Sequence, residues 1–237
     1  MWKACLTVIV LGLFVMAQPS LAATTVRATT EQGIFVGEQK GDTLQFLGIP
    51  YAQQPVGERR WRKPLPPRTH EGERQALAFG PACPQGKDNF SGMDVGTRDE
   101  ACLYLNVWAP AEHDSPLPVM VWLHGGAHRI GAGSLPLYNG QRLAQRDVVV
   151  VTLNYRLGYL GYFAHPALSQ EGESGNLGLL DQIRALEWVH WHAFMGAGAF
   201  FLLLVAPSPE LVAALREVRF KNSRILTTAF RRHFPFF

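Results

Sequence analysis

The apolar run Pro118-Val119-Met120-Val121-Trp122-Leu123 leads directly into His124-Gly125-Gly126-Ala127-His128. Two glycines at a strand end let the backbone turn with its N–H groups outward, because no Cβ blocks positive φ or close approach. Outward N–H donors are what an oxyanion hole needs to hold the negative oxygen of a tetrahedral acyl-transfer intermediate. The two imidazoles, four residues apart, also invite a metal reading. That motif needs a helix to bring both rings to one face and a glutamate beside the first histidine. Gly-Gly-Ala on a loop supplies neither, and no metal ligand is assigned.

A hydrolytic reading also needs a nucleophile. Gly172-Glu173-Ser174-Gly175 contains part of a G-x-S-x-G elbow, but Asn176 fills the fifth place and no β-rich run leads into it. Ser174 therefore reads as a loop serine. Ser208 follows an apolar run, yet Pro207 and Pro209 on either side fix φ and forbid a tight elbow. It is a weak fallback, and no G-x-S-x-G occurs anywhere in the 237 residues. His190 and His192 flank Trp191 at the end of a helical pattern, where a cap favoured by the helix dipole explains them.

The elements that must position this loop are legible as periodicities. Gly33–Val36 and Thr43–Ile49 read as strands, with Gly37 and Gly41-Asp42 marking the turn between them. Residues 54–97, rich in Pro, Gly and charge, read as a long surface excursion. Leu103–Val107 resumes as a strand. The runs 118–123 and 148–153 are apolar almost throughout, which predicts strands covered on both faces. Leu179, Ile183 and Leu186 form the stripe of an amphipathic helix over 178–190. Strand, loop, strand and helix in this order predict an α/β fold.

Longer stretches of text resemble one family. Glu100-Ala101-Cys102-Leu103-Tyr104-Leu105-Asn106-Val107-Trp108-Ala109-Pro110 is similar to the signature of type-B carboxylesterases and cholinesterases. Phe46–Ala52, Asn154-Tyr155-Arg156-Leu157-Gly158 and Gly175–Gln182 match in the same order, from about residue 25 to 190. Ala101 departs from the aspartate usual there. The resemblance implies an α/β-hydrolase fold, here incomplete, with an N-terminal β-hairpin and a partial central sheet. It implies hydrolysis of small-molecule carboxylic esters through a serine acyl-enzyme. It places oxyanion-hole N–H groups at Gly126 and Ala127, on the loop with His124 and Gly125, with alanine tolerated at no cost because the donor is backbone. It pairs Cys83 with Cys102 in a disulfide, and Arg60 with Glu100 and Arg156 with Asp181 in two buried ion pairs. No cofactor is implied.

The resemblance breaks after His192, where an apolar run, Ala193–Ala206, gives way to an Arg- and Phe-rich end. Such a break suggests a frame change or truncation, or an alternative terminus whose 14 uncharged residues touch a membrane surface. With oxyanion donors and no triad, this chain itself is expected to be inactive. The alternative is a non-catalytic cholinesterase-like binding protein, or a membrane-surface protein.

Composition sets the context. Residues 1–192 carry 16 Lys/Arg against 17 Asp/Glu, while residues 193–237 carry six against two. The basic character belongs to the tail, and no nucleic-acid surface is expected. Lys3, an apolar stretch from Ala4 to Ala17, and Ser20-Leu21-Ala22 form the pattern of a cleavable signal, so residues 1–22 predict a secreted or periplasmic protein. Cys83 and Cys102 are then the mature chain's two cysteines: enough for one bridge, or two buried thiols. The divisions are thus residues 1–22, 23–192 and 193–237.

Overall fold

The computed structural model describes residues 24–86, 94–170, 175–194 and 200–205. Its first three strands, β1 (Thr24–Thr30), β2 (Gly33–Lys40) and β3 (Thr43–Pro50), are successive antiparallel neighbours. Two differences from the sequence reading have physical causes. A Cβ on Gly37 would lie 2.4 Å from the Gln45 backbone oxygen and 2.6 Å from the Phe46 ring. Gly37 therefore sits inside β2, allowing close approach to β3, and Gly41 alone of the two glycines takes the turn. β1 was not foreseen because its threonines are largely exposed, with only Val26 and Ala28 packing inward.

Five more strands complete one sheet: β4 (Glu73–Gln75), β5 (Tyr104–Pro110), β6 (Pro118–Leu123), β7 (Val149–Leu153) and β8 (Phe200–Val205). The order is β1-β2-β3-β5-β7-β6-β8, with β4 alongside β2. β5 runs antiparallel to β7, whereas β7, β6 and β8 are parallel to one another. β8 pairs from Pro118↔Phe200 to Leu123↔Val205 and ends the sheet among the described residues. Parallel neighbours need long crossovers. Residues 124–148, with the short helix α1 (Gln141–Ala144), link β6 to β7. Beyond β7 come α2 (Gly158–Tyr162), α3 (Pro166–Gln170) and the long α4 (Leu177–Phe194). Among the described residues, no helix is long and apolar enough to cross a membrane.

α4 presents Ala185, Leu186, Trp188 and Val189 to the core that holds Val119, Val121, Leu123, Val151 and Leu153. Leu47, Trp108, Ala144 and Val150 make a smaller cluster. β7 is thus nearly buried throughout, but β6 alternates, with Met120 and Trp122 only half-buried. Full cover on both faces therefore fails for β6: Trp122 meets Tyr138, at 5.1 Å between ring centroids, without being enclosed. The excursion after residue 54 is irregular, yet it is not all surface. It adds β4 to the sheet and buries Ala76, Ala82 and Cys83. Cys83 is bonded to Cys102, with Cα atoms 4.9 Å apart. Cross-linking across 19 residues stabilises the fold by about 3 kcal/mol on the chain-entropy model.

The two ion pairs differ sharply. Arg156 is buried and doubly hydrogen-bonded to Asp181, Nε to Oδ2 at 2.8 Å and Nη2 to Oδ1 at 2.7 Å. Its backbone N–H adds a third bond to Oδ2, and Nη1 donates to the Arg62 carbonyl. Burial raises the Asp181 carboxyl above its ordinary value, against the pull of the guanidinium and that N–H. Arg60 donates Nε to Glu100 Oε2 at 2.7 Å, but its side chain is 41% exposed. The expectation that this second pair is buried is therefore corrected: the loop carrying Arg60 runs along the surface, and water competes for both charges. Breaking a buried pair costs about 3–5 kcal/mol, whereas an exposed pair contributes under about 1 kcal/mol. Asp181→Asn is thus expected to lower the unfolding free energy several-fold more than Glu100→Gln, as read from urea denaturation. Equal losses would contradict the assignment.

Candidate oxyanion loop

Leu123 ends β6, and the chain turns at once. Gly126 has φ 128°, and a Cβ there would fall 2.0 Å from the Ile130 carbonyl oxygen, so this position admits only glycine. Ala127 and His128 follow at φ 52° and 59°. Left-handed backbone costs an L-residue roughly 1–2 kcal/mol. The expectation that alanine at 127 costs nothing is therefore corrected: the N–H donor survives, but the left-handed backbone is strained. The turn is closed by Arg129 and Ile130 N–H groups donating to the Gly126 carbonyl. Among the described residues, the N–H groups of Gly126 and Ala127 meet no acceptor. Both residues are at least partly exposed.

The strain persists because the loop is gripped at each step by the segment following β7. Tyr155 donates its hydroxyl to the His124 carbonyl at 2.6 Å, and its ring stacks on the His124 imidazole at 4.4 Å. The Gly158 N–H donates to the His128 carbonyl, and the His128 ring stacks on Tyr162. Asn154 Oδ1 accepts the Gly133 N–H at 2.8 Å, while Asn154 Nδ2 reaches the Pro81 carbonyl. Thr152 Oγ1 donates to the Gly133 carbonyl and accepts from Asn106 Nδ2. On the other flank Gln85, two residues after Cys83, exchanges two hydrogen bonds with Gly131, each 2.8 Å. The disulfide thus fixes the root of a side chain that clamps the loop.

The histidines are not arranged as a joint ligand pair, since each ring is stacked on a different tyrosine. His124 Nδ1 lies 2.9 Å from the Gly125 carbonyl, which can only accept, so Nδ1 carries the proton. Burial, opposed by this bond and reinforced by His128, lowers His124 to about 4. The ring is neutral at neutral pH. At the end of α4, His192 Nδ1 donates to the Trp188 carbonyl at 2.7 Å, with the rings stacked at 3.8 Å. It does meet a helix carbonyl, but burial lowers its pKa, so the contact is a neutral hydrogen bond and not a charge on the helix dipole.

The structure thus brings His124, Gly125, Gly126 and Ala127 together on one loop, with Arg156 and Asp181 behind it. Arg60 and Cys83 lie in the flanking excursion, and their partners Glu100 and Cys102 lie between it and β5. Ser174 and Ser208 lie outside the described residues, as do residues 1–23 and 206–237. Sequence reasoning missed the clamps at Gln85, Asn106, Thr152, Asn154 and Tyr155. Asn106, Asn154 and Tyr155 lie within the family-like stretches, where no role was assigned to them. Among the described residues, no group of three or more His, Cys, Asp or Glu side chains is placed to hold a metal.

Residues 24–196 match the model of the carboxylesterase family. The chain is 44% identical over 200 residues to a fumonisin B1 esterase of Sphingopyxis macrogoltabida, covering 76% of this chain and 37% of that protein. It is 49% identical over 164 residues to the para-nitrobenzyl esterase of Bacillus subtilis (strain 168), covering 68% of this chain and 33% of the relative. A mouse cholinesterase is 38% identical over 174 residues, covering 70% and 28%. A solved PNB esterase structure superposes with a TM-score of 0.70 at 45% identity, covering 76% of this chain and 38% of that one. The chain therefore spans about a third of the length of the relatives it matches.

His124 makes the loop's stability sensitive to acid. Its folded value, about 4, lies below the 6.5 of an unfolded histidine. Below pH 6.5 the unfolded chain takes up a proton that the folded chain refuses, so stability falls as the pH drops from about 6.5 toward 4. Between pH 7 and 5 this group should remove about 2 kcal/mol. His124→Phe is expected to flatten the decline in urea-unfolding free energy by that amount. A variant with the wild-type slope would show that His124 is protonated while folded.

Proposed function

This chain belongs to the carboxylesterase family, and on that premise we propose that its loop is an oxyanion hole for carboxylic ester hydrolysis. The observation carrying this reading is the pair of acceptor-free N–H groups at Gly126 and Ala127, on a backbone bent so far from ordinary geometry that three successive residues have positive φ. A strained loop held by at least five neighbouring groups is a preorganised donor site. In the reaction proposed, an ester carbonyl would lie against these donors while a serine hydroxyl, its proton taken by a general base, attacks the carbonyl carbon. The alcohol would leave, and water would hydrolyse the acyl-enzyme. The loop's part is to stabilise the charge on the carbonyl oxygen in both steps.

We propose further that this chain does not complete that reaction alone. Its sequence holds no Gly-x-Ser-x-Gly, and Ser208 is confined by two prolines. The substrate class is that of the family, small-molecule carboxylic esters. Export is proposed from the signal pattern of residues 1–22, and the Cys83–Cys102 bridge accords with an oxidising compartment. Removing the nucleophile of a serine hydrolase costs about six orders of magnitude in turnover. Purified chain 1–237 is therefore expected to cleave p-nitrophenyl butyrate no faster than a nonspecific protein control. Saturable turnover abolished by organophosphate labelling of a single serine would sink this reading, and label on Ser208 would identify the group responsible.

A further inference from the structure

Arginines mark a second place in the molecule. Arg27, Arg60, Arg156 and Arg184 each sit on a carboxylate. Arg59, Arg68 and Arg74 differ. Among the described residues none of them forms an ion pair, yet all three line one cleft of about 600 Å³, which Glu58 alone lines with opposite charge. The cleft lies where the end of β3 and Tyr104, at the start of β5, meet the excursion. His124, Gly126 and Ala127 do not line it. Guanidinium groups present planar forks of donors that match carboxylate and phosphate oxygens.

The amides of the cleft add a second requirement. Gln54 is engaged at both ends, its Nε2 donating to the Leu103 carbonyl and its Oε1 accepting the Leu103 N–H. Gln32 bridges the Pro50 carbonyl and the Trp188 indole N–H in the same way. Gln53 Oε1 is buried and has no partner among the described residues. A buried oxygen without a donor carries a desolvation cost, and because Gln53 is only half-buried, turning its side chain toward the cleft would let a ligand hydroxyl remove that cost.

We propose that this cleft is a binding site for a small organic oxyanion, carboxylate or phosphate ester, that also carries a hydroxyl group. The arginines take the anion, and the hydroxyl donates to Gln53 Oε1 as that side chain turns toward the cleft. The test is isothermal titration of purified chain 1–237 at constant ionic strength, with malate and glycerol 3-phosphate as hydroxylated probes and succinate as the probe lacking a hydroxyl. Saturable binding at one site is expected, and whichever hydroxylated probe binds more tightly identifies carboxylate or phosphate as the group recognised. The Arg68→Gln/Arg74→Gln double variant should weaken binding at least about tenfold, and Gln53→Leu should bring malate down to the affinity of succinate. Arg146→Gln, an exposed arginine outside the cleft, should leave binding unchanged. Failure of both hydroxylated probes to saturate would overturn the site, as would equal weakening by Arg146→Gln. Succinate binding as tightly as malate would overturn the role of Gln53.

Discussion

A single buried carboxylate, Asp181, holds the structure's most consequential segment in place. It meets three N–H groups of Arg156, two from the side chain and one from the backbone. That backbone bond matters most for geometry, because it ties the main chain just beyond β7 to the long helix α4. An ion pair this deep is weak evidence of net stability, since desolvating both charges costs about what their attraction returns. What it provides is a fixed position. Any shift of residues 154–158 away from α4 would strand two charges out of water.

The loop after β6 depends on that position. Within five residues Asn154, Tyr155 and Gly158 each hold a different point of it, at Gly133, His124 and His128. The stack of His124 on Tyr155 and that of His128 on Tyr162 add two more contacts. Together they offset the left-handed backbone at Ala127 and His128, which neither residue would adopt in isolation. Strain of this kind persists only where the surroundings over-determine it. The same burial that secures His124 keeps its ring neutral, so the loop bears no cationic imidazole at this position at neutral pH.

Much of the fold was legible because its signals are local. The apolar run 118–123 became β6 without a shifted boundary, and Leu179, Ile183 and Leu186 fell on α4. Gly125-Gly126 announced a turn from composition alone. What stayed hidden was long-range. β1 carries few apolar residues, so no alternation betrayed it. Gly37 looked like punctuation, although its reason is a neighbouring strand's carbonyl and ring. The pairings Arg60–Glu100, Arg156–Asp181 and Cys83–Cys102 came from the family resemblance and not from spacing, and nothing in the sequence told which ion pair is buried. Gln85 gave no signal of its clamp on Gly131, because a glutamine 46 residues from its partner has no sequence period.

The Arg156–Asp181 contact thus governs the loop through residues 154–158. Amide hydrogen exchange of the Arg156→Met variant tests it most directly. The N–H groups of Gly133 and Gly158 are donors that join this segment to the loop, Gly133 to Asn154 Oδ1 and Gly158 to the His128 carbonyl. They are expected to lose more protection than the amides pairing β1 with β2, which lie at the far end of the sheet. Equal loss at all these amides, or wild-type protection at the two glycines, would contradict it.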